Sequence, residues 1–121
     1  MLLLGTGHCF RDHVLEVCPE YARFASNAEG IRKSFEGSSL ETIKHMVASG
    51  MGITVVPQLS VPSGPHQTPD PHLRHIPFSD PVPTRRVVLA WRRTFTRYEA
   101  IAALRNAVYA GDLRGVSRLT A

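Results

Sequence analysis

One strand–helix–strand segment constrains the fold more than any other part of the chain. Ser38 and Glu41 fit a capping box, with Ser38 as the N-cap and Glu41 returning to its backbone N–H, so a helix is predicted to start here. Gly50 is predicted to end that helix. A strand is predicted before it at Ile31–Phe35, and the β-branched run Ile53–Val56 predicts another soon after it. Short loops between such elements are typical of a parallel sheet.

The rest of the chain predicts further elements of the same kind. Other strands are predicted at Met1–Leu4, at Leu73–Phe78 as an edge strand, and at Arg86–Trp91 as a buried run. Other helices are predicted at Phe10–Val17 and after a second capping box at Thr96–Glu99, with Gly111 as the stop. Seven of the nine prolines fall between Pro62 and Pro83, which excludes central strands there. The pattern predicts an α/β lobe with a mainly parallel sheet flanked by helices.

Length and charge limit the functional class. The 121 residues, 43% of them hydrophobic, suffice for one domain or one lobe of a larger one. No apolar run approaches the length of a membrane helix, so we expect a soluble, cytoplasmic chain that does not contact a membrane. Residues 61–121 carry nine Arg against four acidic residues, and residues 1–60 carry five basic against six acidic. Because no aromatic stacking platform accompanies this basic half, a solvated face or a subunit contact is favoured over nucleic-acid binding.

The segment from Gly5 to His13 concentrates reactive side chains. Cys9 is predicted to lie in the first turn of a helix, where free N–H groups and the macrodipole favour a thiolate. His8, Arg11 and His13 add nearby positive or polarising groups, whereas Asp12 opposes a thiolate unless it pairs with Arg11. A thiolate in such a setting reacts with a peroxide.

The second cysteine, Cys18, lies nine positions after Cys9. In one continuous helix nine steps of ~1.5 Å separate the two Cα atoms by about 13.5 Å, whereas a disulfide needs less than roughly 7 Å. A bond between them therefore requires the helix to melt. Two buried small hydrophobic residues, a redox pair and a zinc site remain open, although His8 and Cys9 are too close in the chain to share one tetrahedral ion easily.

Three stretches of the sequence resemble a known family. Gly7–Asp12, with the second cysteine nine positions after the first, is similar to the redox centre of OxyR-type regulators, the hydrogen-peroxide-sensing activators among the LysR-type transcription regulators. Ser39–Pro57 resembles the effector-domain core of LysR-type proteins. Arg85–Arg92, followed by a helix that begins with Tyr98, resembles the closing strand and return helix of that domain. The likeness extends from residue 2 to about residue 109.

The resemblance implies a periplasmic-binding-protein-like fold and a division of the chain. Residues 1–93 would form the second regulatory subdomain, residues 94–110 the return helix toward the first subdomain, and residues 111–121 a flexible tail. The winged helix-turn-helix of the family and the first part of its effector domain are expected to be absent from this sequence.

The resemblance also implies roles for individual residues. Cys9 is similar to the peroxide-reacting cysteine and Cys18 to its resolving partner. The residues expected to support them are Gly7, His8, Arg11, Asp12 and Arg85. No metal and no cofactor are implied.

The expected partners follow from the same family. They are hydrogen peroxide as the signal, a second copy in a homodimer or tetramer, thiol reductants that reset the disulfide, and DNA through the N-terminal domain alone. A transcription regulator rather than an enzyme is expected. The alternatives are a LysR-type lobe that binds a small metabolite and has incidental cysteines, and a thiol-dependent redox enzyme.

Overall fold

The chain folds into two compact units. The structure, a computed structural model, describes residues 1–22 and 35–119. The first unit comprises Met1–Pro83 and the second Thr84–Ala121. Most of the predicted strand Ile31–Phe35 lies outside the described residues. In the part of the chain described, no helix combines the length and the apolar composition needed to cross a membrane.

The first unit is built on a buried pair of parallel strands. Strand β1 (Leu2–Leu4) pairs with strand β2 (Phe35–Gly37), so that Leu2 lies opposite Phe35 and Leu4 opposite Gly37. All three leucines of β1 are buried. Continuous apolar runs of this kind mark strands covered on both faces, as in parallel α/β sheets. The predicted strand Met1–Leu4 is confirmed, and this pair is parallel as expected.

Two helices cover this pair. Helix α1 spans Cys9–Val17 and helix α2 spans Leu40–Ala48. Ile43 of α2 is 1% exposed and packs with Leu2 and Leu4. The partly buried residues around this cluster are Phe10, Met46 and Val47. The core of the unit therefore lies between β1 and the two helices.

Helix α2 begins one residue later than the capping box predicted. Its N-cap is Ser39, whose Oγ accepts a hydrogen bond from the backbone N of Thr42 at 3.2 Å. The prediction of Ser38 as N-cap is wrong, and Glu41 instead forms an ion pair with Lys44 at 3.0 Å. Ser39 has the extended backbone (φ −144°, ψ 160°) that an N-cap requires.

The predicted stop of α2 is confirmed. Gly50 has a φ of +87°, in the left-handed region that favours glycine. Its N–H donates to Val47 O, and the N–H of Met51 donates to Met46 O. These two bonds form a Schellman motif, which satisfies the last carbonyls of the helix.

The segment Ile53–Val56 runs beside β1 without forming a regular strand. The backbone N of Leu2 donates to Ile53 O at 2.9 Å. The next bond comes from a side chain, since Thr54 Oγ1 donates to Leu2 O at 2.9 Å. The strand prediction is therefore wrong, because a hydroxyl takes the place of a backbone donor in the ladder.

Two other predicted strands do not form. Neither Leu73–Phe78 nor Arg86–Trp91 is a strand. Val87 and Val88, predicted to be buried, are 76% and 67% exposed. A strand satisfies its N–H and C=O groups by pairing with a neighbour, and in the described residues neither segment has a paired strand.

The second unit contains helix α3 (Tyr98–Ala110). Its N-cap is Arg97 without a side-chain capping bond, so the predicted capping box at Thr96 is wrong, while Gly111 ends the helix as predicted. The segment after the helix turns back on it, since Arg118 Nη2 donates to Gly111 O at 3.2 Å. The Arg118 guanidinium also lies 5.9 Å from the centre of the Tyr109 ring.

The burial of Ile43 gives a prediction for stability. Ile43→Ala should lower the free energy of unfolding by about 2–5 kcal/mol, because a fully buried aliphatic side chain leaves a cavity when it is truncated. Ile53→Ala is the matched control, since Ile53 is 62% exposed and its truncation should cost little. Urea unfolding followed by circular dichroism measures both. Equal losses in the two variants would contradict this description of the core.

Candidate thiol site

A tight turn delivers the chain from β1 to the start of α1. The backbone N of Gly5 donates to Gly37 O at 3.2 Å, and the N of His8 donates to Gly5 O at 3.4 Å. Gly7 has a φ of +99°, a conformation that a side chain would strain. The turn therefore fixes where α1 begins, and the role expected for Gly7 is to allow this turn.

Cys9 is the first residue of α1. His8 is the N-cap, with an extended backbone (φ −87°, ψ 116°) and no side-chain capping bond. The thiol of Cys9 is free and exposed. The placement of Cys9 in the first helical turn is confirmed. A small oxidant has access to this sulfur.

Arg11 points away from solvent and holds the helix on the strand. It is 9% exposed, and its Nη1 donates to Leu4 O at 2.8 Å. A charged donor that satisfies a buried carbonyl contributes more than a neutral hydrogen bond. Arg11 therefore fixes the position of the first turn of α1, and with it the position of Cys9. Asp12, the next residue, is exposed.

Cys18 caps the other end of the same helix. Its backbone N–H donates to Val14 O at 2.9 Å, and its thiol is free and half-buried. Burial raises the pKa of the Cys18 thiol, and the nearby Glu20 carboxylate raises it further. Both effects favour the thiol of Cys18 over its thiolate.

The helix keeps the two sulfurs apart. Because α1 runs without a break from Cys9 to Val17, nine steps of ~1.5 Å place the Cα atoms of Cys9 and Cys18 about 13.5 Å apart. Nine residues at 3.6 per turn also place them on opposite sides of the helix axis. A disulfide needs Cα atoms within roughly 7 Å. The geometric expectation is confirmed: the pair cannot bond while α1 is intact.

The two halves of α1 are anchored unequally. Val14 is 3% exposed, Arg11 is bonded to β1, and Phe10 packs against the core cluster. In the last turn Val17 is 39% exposed and Glu16 is exposed. The end of the helix that carries Cys18 therefore has fewer tertiary contacts to lose.

The expected supporting residues fall into two groups. Gly7, His8, Arg11 and Asp12 lie within three residues of Cys9 in the chain. Arg85 belongs to the second unit and is exposed there. In the described ranges no group of three or more His, Cys, Asp or Glu side chains is arranged to hold a metal ion.

Sequence reasoning undervalued two features of the site. The carbonyl of Leu4 holds Arg11, and no sequence signal marks a backbone acceptor of this kind. His13, named only among the polarising groups, has a buried Nδ1 without a hydrogen-bond partner in the described part of the chain. Its spacing of four residues from Cys9 was the available signal.

Comparison with known proteins gives one consistent result. Residues 1–111 match the family described as the LysR substrate binding domain. A Streptomyces viridosporus protein named "Probable hydrogen peroxide-inducible genes activator" is 36% identical over 89% of this chain and 34% of its own length. The hydrogen peroxide-inducible genes activator of Haemophilus influenzae is 34% identical over 85% of this chain and 32% of its own.

A third relative carries a more specific name. The DNA-binding transcriptional dual regulator OxyR of Escherichia coli K12 is 36% identical over 84% of this chain and 32% of its own length. The chain thus spans about a third of the length of the curated relatives it matches. No solved structure matches it significantly.

The raised pKa of Cys18 predicts slow alkylation at mildly alkaline pH. In the Cys9→Ser variant, iodoacetamide should modify Cys18 more slowly than free cysteine at pH 8.5, because the reactive thiolate forms only at higher pH. Glu20→Gln should increase the rate by about twofold, since it removes a partly screened negative charge. Glu16→Gln, on the exposed side of α1, is the control and should change little. Rates measured by mass spectrometry that are equal for Cys18 and free cysteine would contradict the assignment.

Proposed function

The chain belongs to the family of LysR substrate-binding domains, and from that premise we propose that it is the redox-sensing part of an OxyR-like, hydrogen-peroxide-responsive transcription regulator. One observation carries the proposal. An exposed cysteine begins a helix, and a half-buried cysteine caps the end of the same helix. The relatives are named as hydrogen peroxide-inducible activators or OxyR, and their names are the reason for proposing hydrogen peroxide as the signal.

The first chemical step takes place at Cys9. Its thiolate attacks one oxygen of hydrogen peroxide, the S–O bond forms and the O–O bond breaks. The hydroxide that leaves takes up a proton and becomes water, and Cys9 becomes a sulfenic acid. The exposure of Cys9 supports this step, and Arg11 holds the turn in place from its buried side.

The second step joins the two cysteines. The Cys18 sulfur attacks the sulfur of the Cys9 sulfenic acid, the S–S bond forms, and the hydroxyl group leaves as water with the proton of the Cys18 thiol. The two Cα atoms must approach from about 13.5 Å to less than roughly 7 Å. The helix between them therefore unwinds, and thiol reductants return the pair to two thiols and the segment to a helix.

The unequal anchoring of α1 indicates where unwinding starts. The first half is held by Arg11 and Val14, whereas the last turn is exposed at Glu16 and Val17. We expect Cys18 to move toward Cys9 as the last turn opens, while the first turn stays on β1. In the chain-entropy model, closing a loop of this length removes conformational entropy from the unwound segment equivalent to roughly 2.7 kcal/mol.

The wider architecture is part of the same proposal. Residues 1–93 would be the second subdomain of a periplasmic-binding-protein-like effector domain with a mainly parallel sheet. Residues 94–110 would be the return helix and residues 111–121 a flexible tail, and Arg85 would support the site. The regulator would act in the cytoplasm as a homodimer or tetramer that contacts DNA through its N-terminal domain. The names of the relatives favour this proposal over the metabolite-binding lobe and the redox enzyme.

Mapping thiols after peroxide treatment tests the proposed pairing. One equivalent of hydrogen peroxide should remove two hydrogens from the reduced chain, with Cys9 and Cys18 joined within one molecule. In Cys18→Ser, the sulfenic acid of Cys9 should persist and react with dimedone. In Cys9→Ser, Cys18 should remain a free thiol. Two free thiols in the treated wild-type chain, measured by mass spectrometry, would refute the mechanism.

Helix propensity in the last turn of α1 should control the rate of closure. Glu16 is exposed, so Glu16→Gly and Glu16→Ala change the helix without touching the core. Gly costs roughly 1 kcal/mol relative to Ala in a helix, which corresponds to about a fivefold difference in opening. Disulfide formation after a peroxide pulse should therefore be about fivefold faster in the Gly variant than in the Ala variant. Equal rates would show that opening of this turn does not limit closure.

A further inference from the structure

His13 lies one helical turn after Cys9, and we propose that its imidazole carries the proton that the Cys9 thiol releases during the reaction with peroxide. This inference rests on the proposed function, because it assigns a further residue to the same site. Three observations support it. His13 lies on α1 four residues after Cys9, the Arg11 guanidinium is bonded to Leu4 O, and the His13 Nδ1 atom is buried without a hydrogen-bond partner among the described residues.

Helix geometry places the two side chains together. Residues four apart lie on one face of a helix, with Cβ atoms about 5–6 Å from each other. Side chains in a helix also lean toward its N-terminus, so that each covers the turn before it. The imidazole of His13 therefore extends over the turn that starts with Cys9.

The other polar residues of that turn are engaged or carry the wrong charge. Arg11 is buried, and its guanidinium bonds to Leu4 O on the side of the strand. Asp12 is three residues from Cys9 and is acidic, which opposes a thiolate. Of the side chains that follow Cys9 within one turn, His13 is the one with an imidazole, the group that most often transfers protons in catalysis.

The Nδ1 atom of His13 determines how the ring can act. Nδ1 is buried and has no hydrogen-bond partner among the described residues. The tautomer of a histidine is normally fixed by the bond that one ring nitrogen makes. Neutral imidazole accepts a proton at Nε2 only in the tautomer whose hydrogen is on Nδ1. In that tautomer the buried Nδ1–H has no acceptor among the described residues that would stabilise an imidazolium, so the ring serves as a transient carrier rather than a fixed cation.

The step balances with peroxide as the oxidant. The Cys9 thiol gives its proton to Nε2 of neutral His13 while the sulfur attacks one peroxide oxygen. The S–O bond forms and the O–O bond breaks. The departing hydroxide takes the proton from Nε2, so that the products are a sulfenic acid, one water molecule and a neutral imidazole.

The titratable groups around His13 lie on α1 itself and on the 3-10 turn that follows it. On α1 itself, Asp12 and Glu16 are exposed. The 3-10 turn Pro19–Tyr21, which packs against α1, contributes Glu20 and Tyr21, and β1 contributes no titratable side chain. The amino terminus at Met1 directly precedes β1. Glu16→Gln and Glu20→Gln therefore belong among the variants whose pH profiles are compared.

Alkylation of Cys9 by iodoacetamide tests the proton transfer without peroxide. His13→Gln should slow the reaction of Cys9 at pH 7 by about tenfold or more, because the thiolate then forms without a base beside it. At pH 10, where cysteines ionise unaided, the wild type and the variant should react at equal rates. His45→Gln, at an exposed histidine on α2, is the matched control and should leave the profile unchanged.

Cys18 in the same molecule reports whether α1 remains folded. In a folded His13→Gln chain its alkylation should stay as slow as in the wild type, whereas unfolding would accelerate it; His13→Asn provides a second uncharged variant in that event. Rates for Cys9 within twofold of the wild type from pH 7 to pH 10 in a folded variant would overturn the proposal. So would a ratio that is the same at every pH, since that indicates a purely structural role.

Peroxide itself separates this inference from the function on which it rests. If both hold, His13→Gln should also slow sulfenic acid formation at pH 7 by about tenfold. If Cys9 is alkylated more slowly in His13→Gln than in the wild type, but the wild type forms no sulfenic acid with peroxide, the proposed function fails and the coupling of His13 to Cys9 stands. If the wild-type chain forms sulfenic acid and the variant does so at the same rate, the proposed function stands and His13 has no part in it.

Discussion

The continuity of helix α1 is the constraint on which the site depends. As long as residues 9–17 are helical, the Cα atoms of Cys9 and Cys18 are separated by about 13.5 Å along the helix and the two residues lie on opposite sides of its axis. Because of this separation, whether the two cysteines stay reduced depends on the structure of the backbone as well as on the chemistry of the thiols. Any agent that joins the sulfurs must also rearrange the segment between them, so a covalent event at one residue becomes a change of shape.

The rest of the first unit serves to hold the start of this helix. Leu2 and Leu4 pack with Ile43, which fixes β1 beneath the helices. The backbone of Gly37 allows this approach, since a Cβ there would lie 2.6 Å from Cγ1 of Ile43. Arg11 then bonds the first turn of α1 to the end of β1. Cys9 is therefore placed by the buried part of the unit, and Cys18 lies at the more exposed end of the helix.

Local patterns predicted those elements that are stabilised by local contacts. The buried run at Leu2–Leu4, the helices and the stop at Gly50 follow from periodicity and capping rules, with errors of one residue at Ser39. The runs at residues 53–56 and 86–91 have the composition of strands. The first lies beside β1 but bonds to it through a threonine hydroxyl, and the second has no paired strand among the described residues, neither of which the sequence reveals. The burial of Arg11 could not be predicted from the sequence either, because an arginine in a helical pattern is expected to be exposed. The roles of the two cysteines came from family resemblance and remain proposals.

Amide hydrogen exchange across α1 tests the central claim most directly. The reduced chain and the peroxide-treated chain are compared by mass spectrometry on peptides from α1 and α2, before and after reduction. The account predicts that disulfide formation removes protection from the amides in the second half of α1, that α2 is unchanged, and that reduction restores the protection. A disulfide between Cys9 and Cys18 that forms while every amide of α1 keeps its protection would contradict it.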